Sequence, residues 1–188
     1  MASIRTFIAF DTPEEIKKEM SFLQARLKDS HADVKWELES KFHVTIKFLG
    51  NVDESKLPKV ISKCQSIIEK TTCFEVDYEN LGCFPNIKHP RVIWIGCKNE
   101  NGELFTLKQS LDNVLLPLGF DIEERGFHPH ITLGRVRTSK GLQNLIPMLE
   151  NLTFERRKAS INEILIMKSI LKPEGSIYSV LKTIKLKV

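Results

Sequence analysis

Two short segments carry the residues most able to do chemistry. Phe42-His43-Val44-Thr45-Ile46-Lys47-Phe48 and Pro129-His130-Ile131-Thr132-Leu133-Gly134-Arg135 each contain a histidine, any residue, a threonine and then an apolar residue. Their histidines lie 87 residues apart in a chain of 188, close to half its length. A histidine titrates near neutral pH, so of two facing imidazoles one can start neutral and the other protonated. Opening a phosphodiester needs that combination: a base to activate water and an acid to protonate the departing oxygen. Threonine hydroxyls can donate hydrogen bonds to non-bridging oxygens as charge builds on them. Both catalytic jobs fall to side chains, so no metal or other cofactor is expected.

Strand geometry decides what the pattern can reach. Alternate side chains of a strand share a face, and a histidine and a threonine two apart have Cα atoms roughly 6.5 Å apart. His43, Thr45 and Lys47 then point one way, and Phe42, Val44, Ile46 and Phe48 the other, into a core. In the second copy His128, His130 and Thr132 share a face opposite Phe127, Pro129, Ile131 and Leu133. One such tripeptide arises by chance; two copies on correctly alternating strands identify a paired site.

Further candidates follow from parity and charge. Lys47 has the parity to bind a substrate backbone, a solvated lysine being the plain alternative. Arg135 has the wrong parity for a regular strand and reaches the site only if the strand twists, bulges or ends after Thr132. Arg5 and Arg91 are candidates for the cleft floor or for RNA contact. Phe7 and Trp94 are more readily core residues than base-stacking platforms. His128 and His130 on one face are the best case for a metal. The first motif, however, has Lys41 where His128 stands, and no carboxylate completes a set. His128 then tunes the site, and His31 and His89 lie in polar loops.

The elements that must hold these residues alternate along the chain. Ile4 to Phe10 alternates as a strand. Thr12-Pro13-Glu14-Glu15 has the form of a capping box, and Ile16, Met20, Leu23 and Leu27 follow at helical spacing. Phe42 to Leu49 is a strand, and a helix from near Asp53 carries Leu57, Ile61, Cys64 and Ile68 on one face. Phe74 to Leu81 and Arg91 to Cys97 are strands. Leu104, Leu107, Leu111 and Leu115 mark a helix closed near Gly119. A strand over Phe127 to Val136 and a short helix over Leu142 to Leu149 come next. Ile161 to Ile170 and Ile177 to Leu186 form two strands joined by a turn over residues 173–176. Several neighbouring strands have no helix between them, so the class is α+β with largely antiparallel sheets.

Bulk properties set the frame. The chain is 41% hydrophobic with net charge +4, enough for one substantial core and a surface that permits a polyanionic partner without requiring one. Cys64, Cys73, Cys83 and Cys97 form no Cys-x-x-Cys pair and fit buried, reduced thiols. The first residues lack the pattern of a signal peptide and no run matches a membrane span, so a cytoplasmic protein is expected.

At these motifs the chain resembles the 2H phosphoesterases, and within them the RNA 2′,3′-cyclic phosphodiesterase (2′-5′ RNA ligase) branch. The resemblance spans nearly the whole sequence. Arg5-x-Phe7-x-Ala9 is similar to the family's opening strand. The stretch from Phe42 to Gly50 is similar to its first motif, and Phe127-x-Pro129 through Arg135 to its second. Gly82-x-Phe84-Pro85 and Pro90 to Gly96 fit the middle; Ser169, Gly175 and Tyr178 fit the last hairpin. The resemblance implies a single bilobal domain over residues 1–188, with two pseudo-symmetric lobes, each a mostly antiparallel sheet with outer helices, around one cleft. It implies hydrolysis of an RNA-end 2′,3′-cyclic phosphate to a 2′-phosphate, with 2′-5′ ligation of tRNA halves as an added capacity. His43 is assigned as proton donor and His130 as acceptor, pseudo-symmetry leaving the roles interchangeable. Two alternatives stand beside this: the same chemistry on a small cyclic nucleotide or cyclic phosphate, and a non-catalytic nucleotide-binding module. A monomer is expected.

Overall fold

In the computed structural model, which describes residues 2–124, 126–173 and 175–188, the chain forms two antiparallel sheets with helices packed outside them. The strands are β1 (Ser3–Asp11), β2 (Val34–Trp36), β3 (His43–Asp53), β4 (Phe74–Phe84), β5 (Val92–Lys98), β6 (His130–Val136), β7 (Arg157–Ile161), β8 (Glu163–Ile170) and β9 (Ile177–Lys185). The helices are α1 (Glu14–Lys28), α2 (Leu57–Ile68), α3 (Glu103–Leu115) and α4 (Leu142–Asn151). One sheet runs β3-β1-β8-β9 and the other β2-β6-β5-β4-β7. Both ends of the chain therefore build the first sheet, and its middle builds most of the second.

The halves repeat with an exchange. In β1-α1-β3-α2-β4 the last strand leaves the first sheet and pairs with β5; in β5-α3-β6-α4-β8 the last strand leaves the second and pairs with β1. β3 and β6, which carry the two histidine motifs, lie in equivalent places and contact one another across the sheets.

Hydrophobic period explains the layers. Ile8, Phe10, Val44 and Ile46 from one sheet and Ile93, Ile95, Ile131 and Leu133 from the other are buried, under Met20 and Leu27 of α1 and Leu104, Leu107 and Leu111 of α3. Burying each of these side chains stabilises the fold by roughly 1.5–3 kcal/mol, against the entropy of ordering it. Gly119, at φ 88°, follows the turn that closes α3, a conformation that favours glycine.

The elements depart from expectation in four places. Thr12 does not cap α1: Pro13 holds the cap position, and the Thr12 hydroxyl is buried without a partner among the described residues. Asp11 takes over that end, accepting from the Thr12 amide at 2.9 Å and from Lys17 Nζ at 2.9 Å. Asp53 opens no helix; it ends β3 and accepts from the Ser55 amide and hydroxyl before α2 begins at Leu57. The strand expected from Ile161 is divided at Asn162, with β7 in the second sheet and β8 in the first. Phe127 to Pro129 precede β6 instead of belonging to it. Glu174, within the expected final turn, lies outside the described residues.

The four cysteines are unpaired, Cys64, Cys83 and Cys97 being buried and Cys73 partly so. Among the described residues no helix is long and apolar enough to cross a membrane.

Candidate active site

The two sheets enclose a cleft of about 1190 Å³, and His43, Thr45, His130 and Thr132 all line it. Arg5, Arg91 and Arg135 line it too, so seven of the eight expected site residues share one cavity. Lys47 does not.

A β-bulge causes that difference, and it occurs twice. Thr45 pairs with Ala9 and Lys47 with Ile8, so Ile46 is an extra residue on β3. Thr132 pairs with Trp94 and Gly134 with Ile93, so Leu133 is the extra residue on β6. An extra residue reverses the parity of the strand beyond it. In the first motif Lys47 swings behind the sheet and Phe48, expected in the core, is 60% exposed and lines the cleft. In the second motif Gly134 takes the buried position, and Arg135 swings into the cleft.

Lys47 is 1% exposed, so the reading of it as a backbone-binding lysine is corrected: it is a buried structural cation. Its Nζ donates to Asp112 Oδ1 at 2.6 Å and to the Asp121 carbonyl at 2.7 Å. Lys108 Nζ donates to the other Asp112 oxygen at 2.6 Å. Burial alone would raise the Asp112 carboxyl, but the hydrogen bonds and charges of both lysines hold it below the usual carboxylate range. Behind the second bulge an amide does the same work: Gln24 Nε2 donates to the Leu133 carbonyl at 2.9 Å and to the Glu37 carbonyl at 2.8 Å. Each bulge is thus tied to the helix of the opposite half, β3 to α3 and β6 to α1.

Each imidazole is oriented by a carbonyl two residues upstream. His130 Nδ1 lies 2.7 Å from the His128 carbonyl, and the His43 ring bonds the Lys41 carbonyl. A carbonyl partner requires the proton on Nδ1 of His130, which leaves Nε2 of the neutral ring free to accept one. Around His43, Phe7 stacks at 5.2 Å and Tyr178 meets the ring edge-on at 5.3 Å. Around His130, Phe84 stands edge-on at 5.0 Å and Trp94 lies 6.4 Å away. Phe7 and Trp94 accordingly serve as walls for the histidines. Burial pushes His43 down to about 4, helped by Lys17 and by His130, with Asp11 and the Lys41 carbonyl acting the other way. Burial also lowers His130, and Arg135 and His128 lower it further.

His128 lines the cleft beside His130 although it precedes the strand. Among the described residues no three histidine, cysteine, aspartate or glutamate side chains gather as a metal-binding group. Sequence reasoning missed Phe48 as a cleft residue and Tyr178 as the second wall of His43. The equal spacing of Phe48 and Arg135 after their histidines was the available signal for the first.

Comparison with known proteins identifies the family and the fold. The family model described as LigT-like phosphoesterase matches the chain twice, over residues 10–94 and 95–178. The chain is 34% identical over 187 residues to the RNA 2′,3′-cyclic phosphodiesterase of Methanothermobacter thermautotrophicus, covering 97% of this chain and 99% of that one. It is 36% identical over 182 residues to the protein of the same name from Methanocaldococcus jannaschii, covering 95% and 99%. Among solved structures, TT0787 of Thermus thermophilus superposes with a TM-score of 0.82 at 23% identity, covering 98% of each chain. E. coli LigT complexed with 3′-AMP superposes with a TM-score of 0.80 at 22% identity over the whole of both chains.

Proposed function

This chain belongs to the LigT-like phosphoesterase family, and from that premise we propose that it opens 2′,3′-cyclic phosphates at RNA ends, leaving a 2′-phosphate. The observation that carries the reading is the presence of both histidine–threonine pairs, with Arg135, in one cleft. The relatives named RNA 2′,3′-cyclic phosphodiesterase, matched nearly end to end, support it.

In this reading His130 takes a proton from water as the water attacks phosphorus. The P–O3′ bond opposite breaks, and His43 gives its proton to O3′. Thr45, Thr132 and Arg135 hold the non-bridging oxygens, where negative charge gathers. Arg5 and Arg91 hold phosphates of the RNA chain. The arginine on one side only is the reason for this assignment of roles. Arg135 and His128 resist a proton on His130, whereas beside His43 Asp11 favours one and Lys17 and His130 oppose it. Burial resists both, so the negative charge of the bound phosphate must supply the remaining push. Attack of the 5′-OH of a second RNA piece in place of water, with the same O3′ leaving and taking the proton of His43, gives a 2′-5′ phosphodiester, with tRNA halves as a natural substrate.

The cleft volume of about 1190 Å³ and its three arginines favour an RNA end over a lone cyclic nucleotide. A monomeric, cytoplasmic enzyme that needs no metal fits this reading. The decisive experiment incubates the chain with an oligoribonucleotide ending in a 2′,3′-cyclic phosphate and identifies the product by phosphorus NMR. A 2′-phosphate is expected, with turnover unchanged after dialysis against EDTA. A 3′-phosphate would overturn the leaving-group assignment, and activity lost to EDTA and restored by zinc would move the chemistry to a metal at His128 and His130.

A further inference from the structure

Beside His130 two glycines thin the second sheet. Gly96 is the register partner of His130 on β5, and Gly82 is the partner of Trp94 on β4. A Cβ on Gly82 would lie 2.3 Å from ring carbons of Trp94, so the indole lies flat across β4 at that point. A Cβ on Gly96 would lie 2.8 Å from the Glu79 carbonyl oxygen, so that strip of sheet is bare backbone. Above this floor is a recess of about 320 Å³, within the range of small-ligand pockets.

Its walls are aromatic. Phe84 and Trp94 stand on the His130 side, their rings 5.1 Å apart. Phe105 and Phe127 face it from α3 and the following loop, meeting edge-to-face at 5.3 Å. Phe105 is 49% exposed, an aromatic side chain left half in water. The Trp94 Nε1–H is buried and has no partner among the described residues. The recess is continuous with the main cleft, because Phe84, Phe127, His128 and His130 line both.

Charge separates the two spaces. The cleft's arginines do not line the recess, whose rim carries Glu79 and Lys98, opposite in sign. On the paired strands Arg135 stands opposite Val92, while the recess lies at the Gly96 end, beyond His130. The backbone phosphates of an RNA chain therefore have their partners at one end of β6, and the recess at the other end offers flat apolar walls. That is the chemistry of a neutral planar ring. Resting on the cyclic phosphodiesterase reading, we propose that this recess binds the nucleobase of the nucleotide whose cyclic phosphate is opened, by stacking on its aromatic walls and without a charged anchor.

Two substrates separate base binding from chemistry: adenosine 2′,3′-cyclic phosphate, and methyl riboside 2′,3′-cyclic phosphate, which has a methoxy group in place of the base. Stacking on aromatic residues typically changes affinity roughly ten- to a hundredfold per base. The wild-type KM for the base-less substrate should be higher by that factor. Phe105→Ala, at a residue that lines the recess and not the cleft, should raise KM for the adenosine substrate about tenfold. It should leave kcat and the base-less reaction unchanged. Equal KM for the two substrates in the wild type, or an equal loss on both in the variant, overturns the proposal.

A binding readout keeps it separate from the function. The chain has two tryptophans, so Trp36→Phe leaves Trp94 as the sole tryptophan fluorophore. Adenosine 2′-phosphate should quench it and ribose 2-phosphate should not. Base-dependent quenching without hydrolysis of either substrate would sink the phosphodiesterase reading and leave the recess standing. No base-dependent quenching overturns the recess whatever the activity.

Discussion

The two halves of the cleft share a backbone and differ in chemistry. Each offers a histidine, a threonine two residues on, a bulge at the next residue and a side chain thrown into the cleft by that bulge. In the first half that last side chain is Phe48, and the residue turned inward is Lys47, held by Asp112. In the second half they are Arg135 and Gly134, with Gln24 bracing the bulge. The repeat thus supplies two proton carriers in equivalent positions, while the one cation that the bulges deliver to the cleft stands beside His130. A symmetric site would leave acid and base to chance. An arginine on one side only biases them, because it penalises a proton on its neighbour.

The comparison breaks most decisively if either half proves dispensable. His43→Ala and His130→Ala should each lower kcat by at least about a hundredfold, since each removes one of two required proton transfers. Circular dichroism should show both folded, because the rings line the cleft and not the core. Near-wild-type turnover in either folded variant would refute the paired mechanism.

The supports behind the bulges should differ almost as much. Asp112→Asn leaves Lys47 and Lys108 buried without their counter-charge, and removing one partner of a buried pair costs about 3–5 kcal/mol. Gln24→Ala removes two hydrogen bonds to carbonyls, of which the Leu133 oxygen keeps the Glu37 amide at 2.9 Å. Its cost should be about 1–2 kcal/mol. Urea denaturation measures both, and equal losses would show that the ion cluster is no more important than the amide.

Substitution at the fourth position tests the asymmetry directly. Arg135→Ala should lower kcat/KM by about ten- to a hundredfold, the loss of a charge-assisted contact. Phe48→Ala should change it only a few-fold. A comparable loss in both would make the exposed phenylalanine a binding group as important as the arginine. Thr45→Val and Thr132→Val should act mainly on kcat, because their hydroxyls bond best to the charged transition state. A rise confined to KM would make them ground-state ligands.

The parts legible in the sequence were those carried by period and residue type. Alternation placed His43, Thr45, His130 and Thr132 on strands, and helical spacing found the cores of α1, α2 and α3. The bulges were not legible, because a bulge changes what a residue faces without changing the pattern before it. Val44-x-Ile46-x-Phe48 looks like one continuous apolar face until Ile46 is inserted, so Lys47 and Phe48 were expected on each other's sides. Arg135 was recoverable only by allowing a bulge after Thr132. Short strands fared worst: Val34 to Trp36 and Arg157 to Ile161 are too brief to show a period and depend on neighbours distant in sequence. The capping box at Thr12 failed for a similar reason, since Asp11 and Lys17 meet only once β1 and α1 have folded together.

The finest test of the two halves is the pH dependence of turnover. Catalysis needs one ring neutral and the other protonated in the same molecule, so the profile should be a bell bounded by two apparent values that belong to the pair. An unperturbed histidine titrates near 6.5, and burial lowers both rings, His43 to about 4. The sign is direct: a group with lowered pKa gives up its proton at lower pH, so both limbs move to acid in the free protein. kcat/KM, which reports the free enzyme, should therefore peak below pH 6.5 and fall about tenfold per pH unit on its basic side. The optimum of kcat should lie nearer neutrality, because the bound phosphate's negative charge raises both rings. Coincident optima would mean that the phosphate does not sit between the histidines. The variants then separate the roles: the acidic limb, where the base becomes blocked, should vanish in His130→Ala, and the basic limb, where the acid is spent, in His43→Ala. The opposite pattern would exchange donor and acceptor, and would mean that the deeper burial of His43 outweighs the arginine beside His130. A flat wild-type profile with chemistry rate-limiting would reject proton transfer by this pair.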